Sequence, residues 1–336
     1  MGLPELIRSW QKEFNMKLKT VAALVALALA GATLTGCGDK ANEEKVVGVI
    51  QLVEHPALDN ANKGIVDALK ASGLKVKIDQ QNAQADQSNL HNIAQRFVSQ
   101  KSDIIFAIAT PAAQSVANAT KTIPIVATAV TDFEIAKLVK SNAKPGTNVT
   151  GSSDMNPVAA QIDLLVKLCP NVKVIGGIYN SSEINSQFQM DIAKKHVEEL
   201  GLKYVEVTVS NINDIQQAVV SLAGRCDAIY TPTDNVIASA MPLLTSITTP
   251  RGIPVVAAEV GMVEGGGLAT YGVDYYQLGK IAGEMGVDIL KGKSKPQDMP
   301  IQFQKQFKAI INTTAAKALG ITIPEDLAKE SELKAF

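Results

Sequence analysis

From Val46 onward the chain alternates short apolar runs with longer amphipathic stretches. Val46-Val47-Gly48-Val49-Ile50 is followed by a helical pattern over Ala61–Ala71, a run at Lys75–Ile78, a second helical pattern over Leu90–Ser99, and runs at Asp103–Ile108 and Pro124–Ala127. Continuous apolar runs predict strands buried on both faces, and the helices between them predict parallel pairing. The programme then repeats. Gly48 matches Gly176, and Gly73-Leu74-Lys75 matches Gly201-Leu202-Lys203, both at an offset of 128 residues. Asp103-Ile104-Ile105-Phe106 matches Asp227-Ala228-Ile229-Tyr230 at 124, and Ile123-Pro124-Ile125-Val126 matches Ile253-Pro254-Val255-Val256 at 130. So long a period makes each copy a whole α/β lobe rather than one turn of a solenoid.

The predicted fold is α/β, with two doubly wound parallel-sheet lobes joined by a hinge. Residues 46–150 with about 273–300 form the first lobe, and 151–272 with about 301–336 the second. Asn148-Val149-Thr150-Gly151 and Gly267-Leu268-Ala269-Thr270-Tyr271 are expected to cross between them. From Tyr275 the pattern reads as a helix to about Lys291, a strand around Ile301–Ile311 and a short helix over Ala315–Leu319. Ligands of open α/β sheets bind beyond the carboxyl ends of the strands, so two such lobes facing one another enclose a cleft that closes by hinge motion.

The segment before Val46 has a different character. Met16-Lys17-Leu18-Lys19-Thr20 is a basic start and Val21–Ala32 an apolar run, the layout of a signal peptide and too short for a permanent membrane span. It ends at Leu34-Thr35-Gly36-Cys37, which resembles a bacterial lipoprotein box, in which cleavage precedes the Cys and that Cys is lipidated. Residues 1–36 are thus read as the lipoprotein signal, and residues 37–45 as a polar tether. Residues 1–15 carry Glu5, Arg8 and Glu13, so they are read as a start-site extension ahead of Met16. The expected location is outside the cytoplasm, anchored to the cell membrane by lipid.

Composition narrows the function. The chain has 336 residues with 32 Lys+Arg against 33 Asp+Glu, and the leader takes away more basic than acidic residues. Nucleic acid is not an expected partner, since backbone binding needs a surplus of Lys and Arg on one face. The segment after the signal holds no Trp, because Trp10 is the only one, which disfavours stacking on a sugar.

The strand ends supply the candidate cleft wall. Gln51–Asp59, Thr110-Pro111-Ala112 and Thr128–Asp132 come from the first lobe. Tyr179–Ser186, Thr233-Asp234-Asn235 and Glu259 come from the second, and Asp154 from a crossover. Each Ser, Thr or Asn here is equally placed to cap a helix. Charge sorts more clearly: Arg8, Arg96, Arg225 and Arg251 all lie elsewhere, whereas Glu54, Asp154, Glu183, Asp234 and Glu259 gather at strand ends. That pattern suits a ligand with an ammonium group and lacks the guanidinium fork used for phosphate or dicarboxylates. Helix-start amides and hydroxyls near Thr110 and Ser182 can take a carboxylate without a cation. An amino acid zwitterion fits best, a nucleoside next.

Several stretches together resemble one family. Gln51-Leu-Val-Glu-His55-Pro-Ala-Leu-Asp59, Ala109-Thr-Pro-Ala-Ala113, Asn148-Val-Thr-Gly151, Tyr179-Asn-Ser-Ser-Glu183, Thr233-Asp-Asn235 and Val273-Asp-Tyr-Tyr276 look like the ABC-transporter substrate-binding proteins of the tryptophan/tyrosine type. The likeness extends to Ala318-Leu-Gly-Ile-Thr-Ile-Pro324. It implies a type I periplasmic-binding fold, a monomer, and delivery of an aromatic amino acid to a permease driven by an ATPase. It also implies that His55, Thr110, Asp154, Asn185, Asp234 and Glu259 lie near the ligand. Pro111, Ala112, Glu54, Ser182 and Glu183 complete the expected binding set. A ligand-sensing receptor module is the alternative reading.

No catalytic set is visible, so an enzyme is not expected. No Gly-x-Ser-x-Gly elbow is present, and Glu264-Gly265-Gly266-Gly267 follows Met262-Val263 as a hinge approach rather than opening a helix as a phosphate loop. His55, His91 and His196 are too dispersed for a metal, and neither metal nor cofactor is expected. Cys169 and Cys226 each precede a strand, at Val172 and Asp227; these are neighbours in the usual doubly wound order. In an oxidising compartment either a disulfide between them or two buried thiols is expected.

Overall fold

The computed structural model describes Trp10 and residues 44–336. The expected signal, Cys37 and the tether as far as residue 43 lie outside the described residues.

The first lobe is built from β1 (Lys45–Gln51), α1 (Pro56–Ala71), β2 (Val76–Asn82), α2 (Gln87–Ser99), β3 (Ile104–Ile108), α3 (Thr110–Ala119), β4 (Ile125–Val130) and β5 (Val149–Ser153). The chain crosses and forms α4 (Val158–Leu168), β6 (Val174–Asn180), α5 (Ile184–Glu199), β7 (Lys203–Val209), α6 (Ile215–Ala223), β8 (Ala228–Thr231), α7 (Asn235–Ser239), α8 (Met241–Thr248), β9 (Val255–Ala257), α9 (Val260–Glu264) and β10 (Ala269–Gly272). It returns through α10 (Tyr275–Leu290) and β11 (Gln302–Phe303). It ends as β12 (Lys308–Asn312), α11 (Thr313–Ala318), α12 (Glu325–Glu330) and β13 (Glu332–Lys334).

Two sheets result. One runs β11-β5-β4-β3-β1-β2, the other β13-β12-β10-β9-β8-β6-β7. Every neighbouring pair is parallel except β10 with β12. The uniform apolar runs are explained by helices on both faces: β3 and β4 are buried along their whole length. In the first lobe, α1 and α10 cover one face and α2 with α3 the other. The α1–α10 crossing is unusually close. A side chain on Gly64 of α1 would sit 2.2 Å from the Tyr276 carbonyl oxygen and 2.6 Å from the Lys280 amide, so only glycine lets these backbones meet.

The crossings fall slightly later than the repeat pattern placed them. β5 stays in the first sheet to Ser153, and Gln302-Phe303 pairs with it, so residues 151–153 and 302–303 belong to the first sheet rather than the second. Gly267–Tyr271 is no crossing, since Ala269–Gly272 is a strand inside the second sheet. Gly265-Gly266-Gly267 turns beneath Met241 and Thr245 and approaches no hinge.

β5 reaches that far because β4 bulges beside it. The register slips between Ala127 and Val130, with Ala129 at φ +55°. Gly151 lies against the bulge at φ +153°, where a Cβ would stand 1.7 Å from the Ala127 carbonyl oxygen. Bulges re-aim side chains at strand ends, and this one points into the cleft.

Of the two arrangements expected for the cysteine pair, the disulfide is not the one formed. Cys169 and Cys226 are free, and they pack in different clusters. Cys226 sits on the face of β6 toward which Gly176 points, with Leu222, whereas Cys169 joins the cluster of Ile175 and Tyr179. Alternate residues of a strand point to opposite faces, so the sheet itself separates the two thiols.

Candidate functional site

The clamp that aims His55 begins one strand end away. Gln51, at the end of β1, donates to the Val53 carbonyl at 2.9 Å and to Asp59 at 2.6 Å, and accepts from Asn62 at 2.9 Å. These bonds pin the Leu52–His55 turn to the first two turns of α1. His55 stands at the helix start, with Pro56 supplying the first helical residue, a position where a missing N–H is harmless.

Across the cleft, α7 starts at Asp234 and α9 at Glu259. Asp234 accepts from the Ile237 amide at 2.9 Å and the Asn180 amide at 2.6 Å; Glu259 accepts from Gly261 at 2.6 Å and Met262 at 2.8 Å. Both carboxylates are therefore helix caps as well as cleft residues. Glu183 lies behind them and gathers the Asn235 amide, the Asn235 side chain at 2.5 Å and the Asn185 side chain at 3.3 Å. Gln189 holds the Thr233 amide at 2.7 Å.

The two halves touch. His55 Nε2 lies 3.2 Å from Asn235 Oδ1, and the Thr131 and Thr233 hydroxyls are 3.0 Å apart. Between them a narrow pocket is lined by His55, Leu58, Ala129, Asp154 and Tyr275 on one side, and by Asn185, Thr233, Asp234, Asn235, Ala238, Glu259 and Met262 on the other. In this arrangement the space open to a water-sized sphere is only about 10 Å³, room for about one water and far below the roughly 300 Å³ at which small-molecule sites begin. Asp154 receives only hydroxyl donors besides backbone, Thr131 at 3.0 Å and Tyr275 at 2.8 Å.

The pocket thus holds three buried carboxylates and no Lys or Arg. Of the described arginines, Arg96 pairs with Asp79 at 2.7 Å, while Arg225 and Arg251 bond carbonyls of their own helical segments. Burial drives the carboxyls of Asp154, Glu183 and Asp234 upward and pushes Glu259 up to about 7, with Asp154 adding its repulsion there. His55 is pushed down to about 4 by burial, so its ring is neutral at pH 7. His55 Nδ1 and Asn185 Oδ1 are buried without any partner. An enclosed pocket lined by carboxylates, bare acceptors and a few apolar side chains is a receptacle for a donor-rich cation.

The raised carboxyls set a pH dependence. Glu259 ordinarily titrates near 4.5 and here near 7, so the folded chain holds its proton more tightly than the unfolded one. Stability from this group is present below about 4.5 and lost as pH rises through about 7, a change of roughly 1–3 kcal/mol. Thermal melts of the ligand-free protein between pH 5 and 8 should show that decline. They should be flatter for Glu259→Gln, which keeps an acceptor for the cap; equal slopes would remove Glu259 as the cause.

Of the expected binding residues, His55, Asp154, Asn185, Asp234 and Glu259 come together in the pocket. Glu183 backs it through the two asparagines. Glu54 does not join them, since it is exposed in the turn before His55. Ala112 is in the apolar core, while Pro111 and exposed Ser182 line a separate groove between α2, α3 and residues 136–138. Thr110 is buried at the start of α3 with a hydroxyl that has no partner. Ala238, Met262 and Tyr275 line the pocket from outside the stretches expected to form the cleft wall, whereas Leu58 and Ala129 lie within Gln51–Asp59 and Thr128–Asp132 but are not singled out there as binding residues. Nothing in their local pattern separates them from core residues, although Tyr275 lies in the Val273–Tyr276 stretch. Among the described residues no group of three or more His, Cys, Asp or Glu could hold a metal, and no helix is long and apolar enough to cross a membrane.

Known proteins match this chain over nearly its whole described length. The profile of the ABC transporter substrate binding protein family matches residues 46–334. A tyrosine-binding protein of Clostridioides difficile (strain R20291) is 42% identical over 324 residues, which cover 91% of this chain and 94% of that one. Among solved structures, the ABC domain from Streptococcus pneumonia in complex with L-Trp is 42% identical, with a TM-score of 0.84 over 87% of this chain and 99% of that one. A substrate binding protein with adhesive properties from Clostridium difficile, solved as its ligand-free, open structure, is 45% identical but has a TM-score of 0.65, with coverage of 87% and 99%. Two parallel-dominated lobes, a carboxylate-lined pocket between them and these relatives agree: the chain belongs to the ABC transporter substrate-binding protein family and has the type I periplasmic-binding fold.

Proposed function

We propose that this protein is the extracytoplasmic receptor of an ABC importer, that it binds an aromatic amino acid between its lobes, and that Cys37 anchors it to the membrane through lipid. The observation that carries the reading is the pocket itself: Asp154, Asp234 and Glu259 are buried there with no cation of the protein among the lining residues. An α-ammonium group supplies that charge. Asp154 is its main partner, because the other two carboxylates are already committed to helix starts. Leu58, Ala129, Ala238 and Met262 offer an apolar surface for the ring. The unpartnered Thr110 hydroxyl at the start of α3 supports helix-start donors for the carboxylate. The relatives named as tyrosine-binding and crystallised with L-Trp support the same ligand class.

The lobe arrangement supports closure around such a ligand. The fit is better to the L-Trp complex than to the ligand-free, open structure, although the latter is slightly more similar in sequence. Delivery then requires a permease and its ATPase, to which the closed form docks. The lipoprotein box ending at Cys37 supports a tethered rather than a diffusing receptor.

Calorimetric titration of the chain from Cys37 onward with tryptophan, tyrosine, phenylalanine and nucleosides tests the ligand. Binding of at least one aromatic amino acid in the micromolar range or tighter is expected, about 8 kcal/mol or more. If no aromatic amino acid bound below about 1 mM, some 4 kcal/mol, while a nucleoside did, the amino-acid reading would be wrong.

A further inference from the structure

Three buried groups form a chain that starts in the second lobe and ends in the first. Glu183 takes the Asn235 side-chain Nδ2–H at 2.5 Å and the Asn235 backbone N–H at 3.2 Å. With Nδ2 so engaged, Asn235 turns its Oδ1 outward, and Oδ1 is an acceptor only. It lies 3.2 Å from His55 Nε2, so the imidazole must donate there. Both His55 and Asn235 line the pocket. On a neutral ring a proton at Nε2 leaves Nδ1 as a bare lone pair, and Nδ1 is buried with no partner in the protein.

We infer that His55 Nδ1 is the specificity-determining acceptor of the pocket, taking a hydrogen bond from an N–H or O–H on the ligand's ring, and that Glu183 is a positioning residue that fixes this tautomer through Asn235. The inference rests on the amino-acid reading above. The acceptor is completed only when the lobes meet, because Asn235 comes from one and His55 from the other. Charge matching separates the ligand's two kinds of donor. The ammonium group belongs with the carboxylate of Asp154, which has no cation, and the neutral indole N–H or phenol O–H belongs with the neutral imidazole. The lowered titration of His55, to about 4, agrees with a ring that stays neutral throughout the physiological range. A buried acceptor left empty by phenylalanine is costly, so the site selects tryptophan or tyrosine against it.

Two readouts decide the matter. Nitrogen NMR of His55 in the ligand-bound wild-type protein is expected to show the proton on Nε2 and none on Nδ1, unchanged down to pH 5. Glu183→Gln, which can turn Asn235 around by donating to its Oδ1, is expected to shift the proton to Nδ1. A wild-type ring protonated on Nδ1 would overturn the relay without any variant needing to fold. In titrations, the wild-type protein should prefer its donor-bearing ligand over phenylalanine by about 10- to 100-fold. His55→Leu should erase most of that preference by weakening the donor-bearing ligand while leaving phenylalanine within about threefold, and His55→Gln should restore part of it. Equal binding of all three amino acids by the wild type, or an equal loss for all three in His55→Leu, would overturn the acceptor role alone. Failure of the wild type to bind any of them would overturn the amino-acid reading and the acceptor role together.

Discussion

Asp154→Asn is expected to weaken amino-acid binding by about 100- to 1000-fold, roughly 2.7–4 kcal/mol, without lowering the stability of the ligand-free chain. Asp154 is 3% exposed and takes the Thr131 hydroxyl on one carboxylate oxygen and the Tyr275 hydroxyl on the other; in the amide one hydroxyl keeps its acceptor and the other turns to accept from Nδ2. The substitution removes a buried negative charge that has no positive partner in the lining and is repelled by Glu259. Relief of that burial offsets any loss of hydrogen-bond strength in the empty protein. Once an ammonium group is present, the balance reverses, because the amide leaves a cation buried without its counter-charge. Titration calorimetry alongside melts with and without ligand separates the two effects. Wild-type affinity in the variant would remove Asp154 from the ammonium site. Asp234 and Glu259 provide the contrast: replacing either by Ala should lower stability by about 1–2 kcal/mol, since each caps the start of a helix.

Gly151→Ala should cost roughly 3–5 kcal/mol of stability and lower the melting temperature of the first lobe by about 10 °C. The added methyl would lie 1.7 Å from the Ala127 carbonyl oxygen and 2.7 Å from its carbon, at a φ of +153° that side chains rarely adopt. Neither neighbour is a flexible side chain that can swing away. Relaxation has to move β4 against β5, and the same bulge sets Ala129 on the pocket wall and Thr131 against Asp154. Ligand affinity should therefore fall with stability. Gly201→Ala is the control: its φ is +74° and nothing lies within 4 Å of the new carbon, so only about 1 kcal/mol of backbone strain is expected. A Gly151→Ala protein that melts with the wild type would show that β5 shifts freely beside the bulge.

Each carboxylate's task escaped sequence reasoning for a definite reason. Asp154, Glu183, Asp234 and Glu259 all stand at strand ends, and nothing local distinguishes a cap from a ligand partner. The distinction depends on which amides the backbone presents: Ile237 and Asn180 to Asp234, Gly261 and Met262 to Glu259, side chains of two asparagines to Glu183, and only hydroxyls and backbone to Asp154. Glu54 is the contrasting case. It shares its turn with His55, yet the Gln51 clamp that turns His55 inward leaves Glu54 in solvent.

The order of apolar runs and amphipathic stretches determined the parallel α/β architecture, the duplication and the placing of candidate residues at strand ends. Those properties follow from local periodicity and burial, which a sequence carries directly. Composition likewise disclosed that the cleft has acids and no arginine. Tertiary structure alone decided which side chains meet: His55 with Asn235, 180 residues apart; Thr131 with Thr233, 102 apart; and Asp154 with Tyr275, 121 apart. It also decided that Cys169 and Cys226 lie on opposite faces of one sheet, and that residues 151–153 stay in the first lobe. Such pairings arise from strand parity, one bulge and the docking of two lobes, all of them set by packing between segments distant along the chain.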